Sequence, residues 1–199
     1  MKITLTENLK QKPDFKNLGF GKYFTDHMLY MEYVDGKWGE VEIRPFSDIA
    51  VNPASVVFHY GQEIFEGMKA YKNTDGKITM FRPRDNILRM NRSAKRLCMA
   101  ELPVDEVLEG IFELVRIEKD WIPTDPGTSL YIRPTMIANE NFLGVHPSKK
   151  YIFFVILSPV GSYYAHGLEP TRIYVEDVFN RAALSLIHIS EPTRLALIS

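Results

Sequence analysis

Across 199 residues, 24 lysines and arginines nearly balance 25 aspartates and glutamates, and 45% of the chain is hydrophobic, as in ordinary folded domains. A formal charge of −1 leaves no basic excess to neutralise a nucleic-acid backbone, which argues against such a partner. The longest apolar run, Ile152 to Leu157, is far short of the ~20 residues that cross a bilayer, no signal-peptide order opens the chain, and the single cysteine, Cys98, forms no internal disulfide. A cytoplasmic protein without a membrane segment is expected.

The first nineteen residues, with Lys10, Lys12, Pro13 and Lys16, follow neither strand nor helix period and read as an arm. From Met28 to Ile43, alternating residues flank Asp35-Gly36, a strong hairpin signal. A second hairpin runs from Glu66 to Tyr71, through Asp75-Gly76, and out along Ile78 to Phe81. After Pro83 the period becomes helical, with Ile87, Met90, Ala94, Leu97 and Cys98 on one stripe. Pro103 opens a second helix carrying Val104, Val107, Leu108, Ile111, Leu114 and Val115, which Trp121-Ile122-Pro123 ends. Leu130 to Ala138 alternates as a strand with Tyr131, Arg133, Thr135 and Ile137 on one face, and Pro134 marks it as an edge, bulged or short strand. Tyr151 to Leu157 reads as a strand buried on both faces, and Thr171 to Val175 is a further candidate. Segregated hairpins and helices predict an α+β fold: an antiparallel-rich sheet with two packed helices.

His27, His59, His146, His166 and His188 lack metal-ligand spacing, and the standard nucleotide and hydrolase motifs are missing. Two anion contacts remain as candidates. Arg89, Arg92 and Arg96 share the helix face opposite the apolar stripe; a solvated basic face explains them, as does a phosphate contact by one of the three. Tyr131 and Arg133, two apart on a strand, suit capture of a carboxylate, although a structural salt bridge accounts for the arginine equally well. Phe58, Tyr60, Phe65 and Tyr71 count as core by type, and Glu63 and Glu66 as surface charges.

Taken in order, several of these stretches resemble the branched-chain amino acid aminotransferases, pyridoxal phosphate enzymes of fold type IV. The segments that carry the likeness are Phe20-Gly21-Lys22, His59-Tyr60-Gly61-Gln62-Glu63-Ile64-Phe65-Glu66-Gly67, Asn86-Ile87-Leu88-Arg89-Met90, Tyr131-Ile132-Arg133-Pro134, Leu143-Gly144-Val145 and Ser158-Pro159-Val160-Gly161-Ser162-Tyr163. They extend the resemblance from about Phe20 to Ala183.

The resemblance implies an arm over 1–19, a small N-terminal domain over 20–160 and, over 161–183, a segment leading into a larger domain. It implies that Arg89 holds the phosphate of pyridoxal 5'-phosphate. Tyr60 and Arg133 would meet the substrate carboxylate region, Phe20, Phe65, Tyr131 and Tyr163 would wall an aliphatic side chain, and Val145 would reach a neighbouring subunit's pocket in a homodimer. Amino acid and 2-oxo acid substrates follow, as transamination between leucine, isoleucine or valine and 2-oxoglutarate. D-amino acid aminotransferases and aminodeoxychorismate lyases, which share the fold, are the alternatives within it; a non-catalytic subunit paired with a complete enzyme is the alternative outside catalysis. The chain departs from the family after Ala183. No lysine follows Lys150, so the residue that would hold the cofactor covalently is missing and this chain is expected to be inactive by itself. Leu184 to Arg194 reads as the translation of a transposase sequencing adapter, and 184–199 is expected to be a foreign tail.

Overall fold

The computed structural model describes residues 1–161, 170 and 172–175. The chain divides into two compact units, 1–165 and 166–199. In the first, the strands are β1 (Lys2–Ile3), β2 (His27–Val34), β3 (Lys37–Trp38), β4 (Glu42–Pro45), β5 (Glu63–Phe65), β6 (Met68–Lys72), β7 (Ile78–Met80), β8 (Ser129–Ala138) and β9 (Tyr151–Val160). The helices are α1 (Val56–Tyr60), α2 (Pro83–Arg96) and α3 (Val104–Ile117). In the second unit, Arg172 to Val175 form no strand, contrary to expectation, and Thr171 lies outside the described residues. Apolar alternation makes a ladder only where a partner strand supplies the hydrogen bonds. Tyr163 and 184–199 also lie outside the described residues.

One sheet runs in the order β1-β4-β2-β9-β8-β6-β7, with β3 added to β2 and β5 to β8. All pairings are antiparallel except β1 with β4. The Asp35-Gly36 turn forms as its sequence predicts: both residues have positive φ, 53° and 81°, and Val34 pairs with Lys37 across it. The arm is tied down more closely than its aperiodic sequence suggests. Besides supplying β1, its Thr6 and Lys10 amides donate to the side chains of His27 and Asp26.

β8 is neither an edge nor short. It has ten residues, all paired with β9, and takes β5 and β6 on its other side. Pro134 fits because its carbonyl accepts from the Glu66 amide at 2.9 Å, on the side where β5 has ended and β6 has not begun. Its missing N–H therefore faces an interruption in the neighbouring ladder.

α2 and α3 cover one face of the sheet. Ile87, Met90, Ala94, Val107, Ile111 and Leu114 pack with Leu29, Ile43, Leu130, Ile132, Phe153 and Val155 in one buried cluster. Leu97 and Cys98 leave the predicted stripe and are exposed: α2 ends at Arg96, Cys98 turns to φ 54°, and Met99 is the residue buried. Between the helices, buried Asn91 donates to the Leu102 carbonyl at 2.8 Å and accepts from its amide at 2.7 Å.

α3 approaches the sheet at Gly110, where a Cβ would stand 2.6 Å from Leu29 Cδ1 and 2.8 Å from Val41 Cγ1. An alanine improves helix propensity by about 1 kcal/mol, but crowding a packed interior costs about 1–3 kcal/mol. Gly110→Ala should therefore lower the urea unfolding midpoint by the equivalent of up to about 2 kcal/mol. A midpoint at or above the wild-type value would show that the sheet yields there.

Candidate functional site

The face of the sheet away from α2 and α3 carries the residues of interest. Strand alternation sends Leu130, Ile132 and Met136 into the core, all of them fully enclosed, and leaves Tyr131, Arg133, Thr135 and Ile137 on the opposite face. Register then assembles the neighbours. Phe65 pairs with Thr135, Ser158 with Tyr131 and Ile156 with Arg133. The Phe65 ring lies under the Arg133 guanidinium at 4.4 Å. The Phe20 ring packs on Tyr131 with centroids 5.1 Å apart. Phe20 follows buried Leu18 in a loop pinned to the end of β9 by the Gly161 amide, which donates to the Gly19 carbonyl at 2.9 Å.

Arg133 is placed but not neutralised. Its Nε and Nη2 donate to the Tyr131 hydroxyl at 3.1 and 2.8 Å, and among the described residues no carboxylate pairs with it. The structural salt bridge is thus not its role in the described chain. A phenol orients the guanidinium without cancelling its charge, and aromatic surface shields one side, so the group is prepared for an anion. Tyr131 can lie flat because residue 67 is glycine; a Cβ there would collide with the Tyr131 hydroxyl.

A second cationic group is held by the residue that follows Phe65. Of the three arginines sharing the exposed face of α2, only Arg89 pairs with a buried carboxylate among the described residues. Its Nε and Nη2 donate to Glu66 Oε1 and Oε2 at 2.5 and 2.7 Å. Glu66 is not the surface charge its type suggested. Burial pushes its carboxyl upward, but hydrogen bonds from Arg89, Asn86 and the Gly67 amide outweigh that and hold it below the ordinary carboxylate range. Three consecutive residues therefore serve both cations: Phe65 stacks on Arg133, Glu66 holds Arg89, and Gly67 makes room for Tyr131. Sequence reasoning passed over Glu66 and Gly67; an acidic residue between an aromatic and a glycine at a strand interruption is the signal that could have found them.

Phe20, Phe65, Tyr131 and Arg133 are thus brought together. Tyr60 is not joined to Arg133 by any hydrogen bond or ring contact among the described residues; it ends α1, and its hydroxyl donates to the Leu143 carbonyl. Val145, in the same loop as Leu143, is 86% exposed and is not brought to Arg133 by any contact among the described residues. Tyr163 lies outside the described residues.

The arrangement can hold one carboxylate at Arg133, an aliphatic group against Phe20, Phe65 and Tyr131, and a second, more exposed anion at Arg89. Among known proteins, the chain is 53% identical over 175 residues to branched-chain-amino-acid transaminase 1 of Bacillus subtilis, covering 87% of this chain and 49% of that protein. It is 49% identical over 183 residues to branched-chain-amino-acid aminotransferase 2 of the same organism, covering 92% of this chain and 50% of that protein. The chain thus spans about half the length of the curated relatives it matches. The solved branched-chain amino acid aminotransferase of Escherichia coli superposes with a TM-score of 0.50 and 26% identity, over 68% of this chain and 40% of that one. No protein-family model matches.

Proposed function

We infer that this chain, a partial-length member of the branched-chain-amino-acid aminotransferase group, forms the substrate-selecting N-terminal part of a transaminase acting on leucine, isoleucine or valine with 2-oxoglutarate. The observation that carries the reading is Arg133, a cation oriented by Tyr131 and stacked on Phe65 with no carboxylate of its own among the described residues. Arg133 would take the substrate carboxylate. The rings of Phe20, Phe65 and Tyr131 would select an aliphatic side chain by contact area, since methyl groups offer nothing else to recognise.

Arg89 fits the phosphate of pyridoxal 5'-phosphate by its chemistry: a charged fork, 60% exposed, with N–H donors to spare beyond those used on Glu66. When bound, that cofactor supplies the electron sink for removing the Cα proton. This chain supplies anchoring and orientation: Arg89 at the phosphate, Arg133 at the substrate carboxylate, aromatic rings that exclude water between them. Tyr60, through its bond to the Leu143 loop, would set the rim of the carboxylate region. Val145 would project into the pocket of a second copy, and Tyr163 would complete the aliphatic wall. A cytoplasmic homodimer, with residues 20–160 as its smaller domain, is the assembly this reading implies.

The test is to join residues 1–183 to the remaining half of a relative's chain and assay leucine with 2-oxoglutarate, alongside the 199-residue chain unaltered. Turnover by the joined protein and none by the unaltered chain is the expected result. A folded, cofactor-loaded joined protein that prefers D-alanine, or leaves leucine untouched, would overturn the reading.

A further inference from the structure

We propose that Glu66 is a positioning residue for the anion contact at Arg89, holding one edge of the guanidinium so that the other is presented outward. The proposal rests on the phosphate reading of Arg89 given above and extends it to a residue with a different task.

The two members of this ion pair are unequally placed: the Glu66 side chain is 6% exposed and that of Arg89 is 60% exposed. A carboxylate so enclosed requires its oxygens to be met. Glu66 Oε1 accepts from Arg89 Nε at 2.5 Å, and Oε2 accepts from Arg89 Nη2 at 2.7 Å, Asn86 Nδ2 at 3.1 Å and the Gly67 amide at 3.3 Å. Asn86 also donates to the Gly67 carbonyl at 3.2 Å, which ties the first turns of α2 to the strand interruption. The carboxylate is therefore fixed by the backbone and by two α2 side chains.

Arg89 uses only part of its capacity. A guanidinium carries five N–H donors in one plane, and here one on Nε and one on Nη2 go to Glu66. The second N–H on Nη2 and one of the two on Nη1 lie parallel along the end of the plane, an edge not used by Glu66, and neither has a partner among the described residues. That is the edge a phosphate group meets with two parallel hydrogen bonds. An arginine on an open helix face without such a clamp would give up its rotamer freedom on binding.

A carboxylate beside an anion site also repels the anion, and the two effects oppose each other. Repulsion is weakened because Glu66 is compensated by a guanidinium and two further donors, while the outward edge of Arg89 lies in solvent, where charges are well screened. Orientation is not weakened by solvent. The geometry thus favours a net gain from Glu66.

The test uses the 199-residue chain labelled with 15N, its Arg89 Nε–H resonance followed while inorganic phosphate is added at constant ionic strength. In the unaltered chain that resonance should be sharp and protected, and should shift with phosphate. In Glu66→Gln it should broaden, with a phosphate midpoint at least fivefold higher; Glu66→Asp, which keeps the charge one methylene short, should fall between. An unchanged or tighter midpoint in Glu66→Gln means repulsion dominates and overturns the proposal. Should Glu66→Gln fail to fold, Asn86→Ala, which leaves the carboxylate but removes one of its supports, should raise the midpoint about twofold; no rise there overturns the proposal as well. Arg89→Ala, which removes that resonance, separates the two readings through the neighbouring amides: if phosphate shifts the Asn86 and Gly67 amide resonances as much without Arg89 as with it, the phosphate assignment fails on its own account, whatever Glu66 does.

Discussion

Replacing Arg133 by methionine should lower kcat/KM for leucine by roughly 10²- to 10³-fold in the joined, full-length protein, while leaving the unfolding midpoint within about 0.5 kcal/mol of wild type. The size follows from losing a charge-assisted fork to a desolvated carboxylate, about 3–4 kcal/mol. The selectivity of the effect follows from what Arg133 touches. Its described polar contacts are two bonds to the Tyr131 hydroxyl, at 3.1 and 2.8 Å, and its flat side lies on Phe65, so methionine of similar length keeps the apolar contact without orphaning a carboxylate. Since the substrate carboxylate is held equally before and during reaction, most of the change should appear in KM. Tyr131→Phe, which removes only the hydroxyl that orients the fork, should cost about 1 kcal/mol, or roughly fivefold. Steady-state kinetics with leucine and a urea titration of each variant decide the matter. A kcat/KM within threefold of wild type, or a fall in stability matching the fall in rate, would make Arg133 a structural group and not a receptor.

The elements legible in the amino-acid sequence are those whose signal is local. Asp35-Gly36 announces two positive φ angles by its composition, and the alternation from Leu130 to Ala138 announces its two faces, one buried and one lining the site. The readings that failed depend on what another segment does. Pro134 reads as an edge marker on its own strand, yet it is accommodated by a gap far away in the chain, between β5 and β6. Glu66 reads as a surface charge because nothing nearby in sequence shows that α2 will bring Arg89 and Asn86 to it. α1, a single turn from Val56 to Tyr60, is too short to display a period. Among Arg89, Arg92 and Arg96 the helical pattern leaves a tie over which would meet a phosphate, and only the resemblance favours Arg89; the structure adds that Arg89 alone of the three has a buried carboxylate partner among the described residues. Chemistry at the site was thus visible in residue type, and its organisation was not, because long-range register sets which side chains meet.

The same dependence on distant partners governs the interior, where Glu118→Ala should destabilise the fold by about 3 kcal/mol. Glu118 follows α3 and meets the start of β2: its Oε1 accepts from the His27 amide at 2.9 Å and lies 2.5 Å from His27 Nδ1, with the His27 and Glu118 side chains only 4% and 3% exposed. The Thr6 amide donates to His27 Nε2 at 2.9 Å, which leaves the ring proton on Nδ1, directed at Glu118. Alanine would orphan two buried donors, each worth about 1–3 kcal/mol, and would loosen the arm that Thr6 anchors. The melting temperature should fall by roughly 6–12 °C, and amide exchange at Thr6 and Lys10 should quicken. Glu118→Gln, which retains an acceptor, should lose less but should change the pH profile. Burial, with the Asp26 charge adding to it, raises the Glu118 carboxyl above the ordinary carboxylate range, against the opposing contact with His27. A raised native value means the folded protein binds the proton more tightly than the unfolded chain. Its contribution is therefore fully present below the ordinary carboxylate range and is lost as pH rises through the elevated native value. Unfolding midpoints measured from pH 4 upward should show that loss in the unaltered chain, and its absence in Glu118→Gln; parallel profiles for the two proteins would mean that Glu118 titrates as an ordinary carboxylate and that its burial is fully compensated by His27.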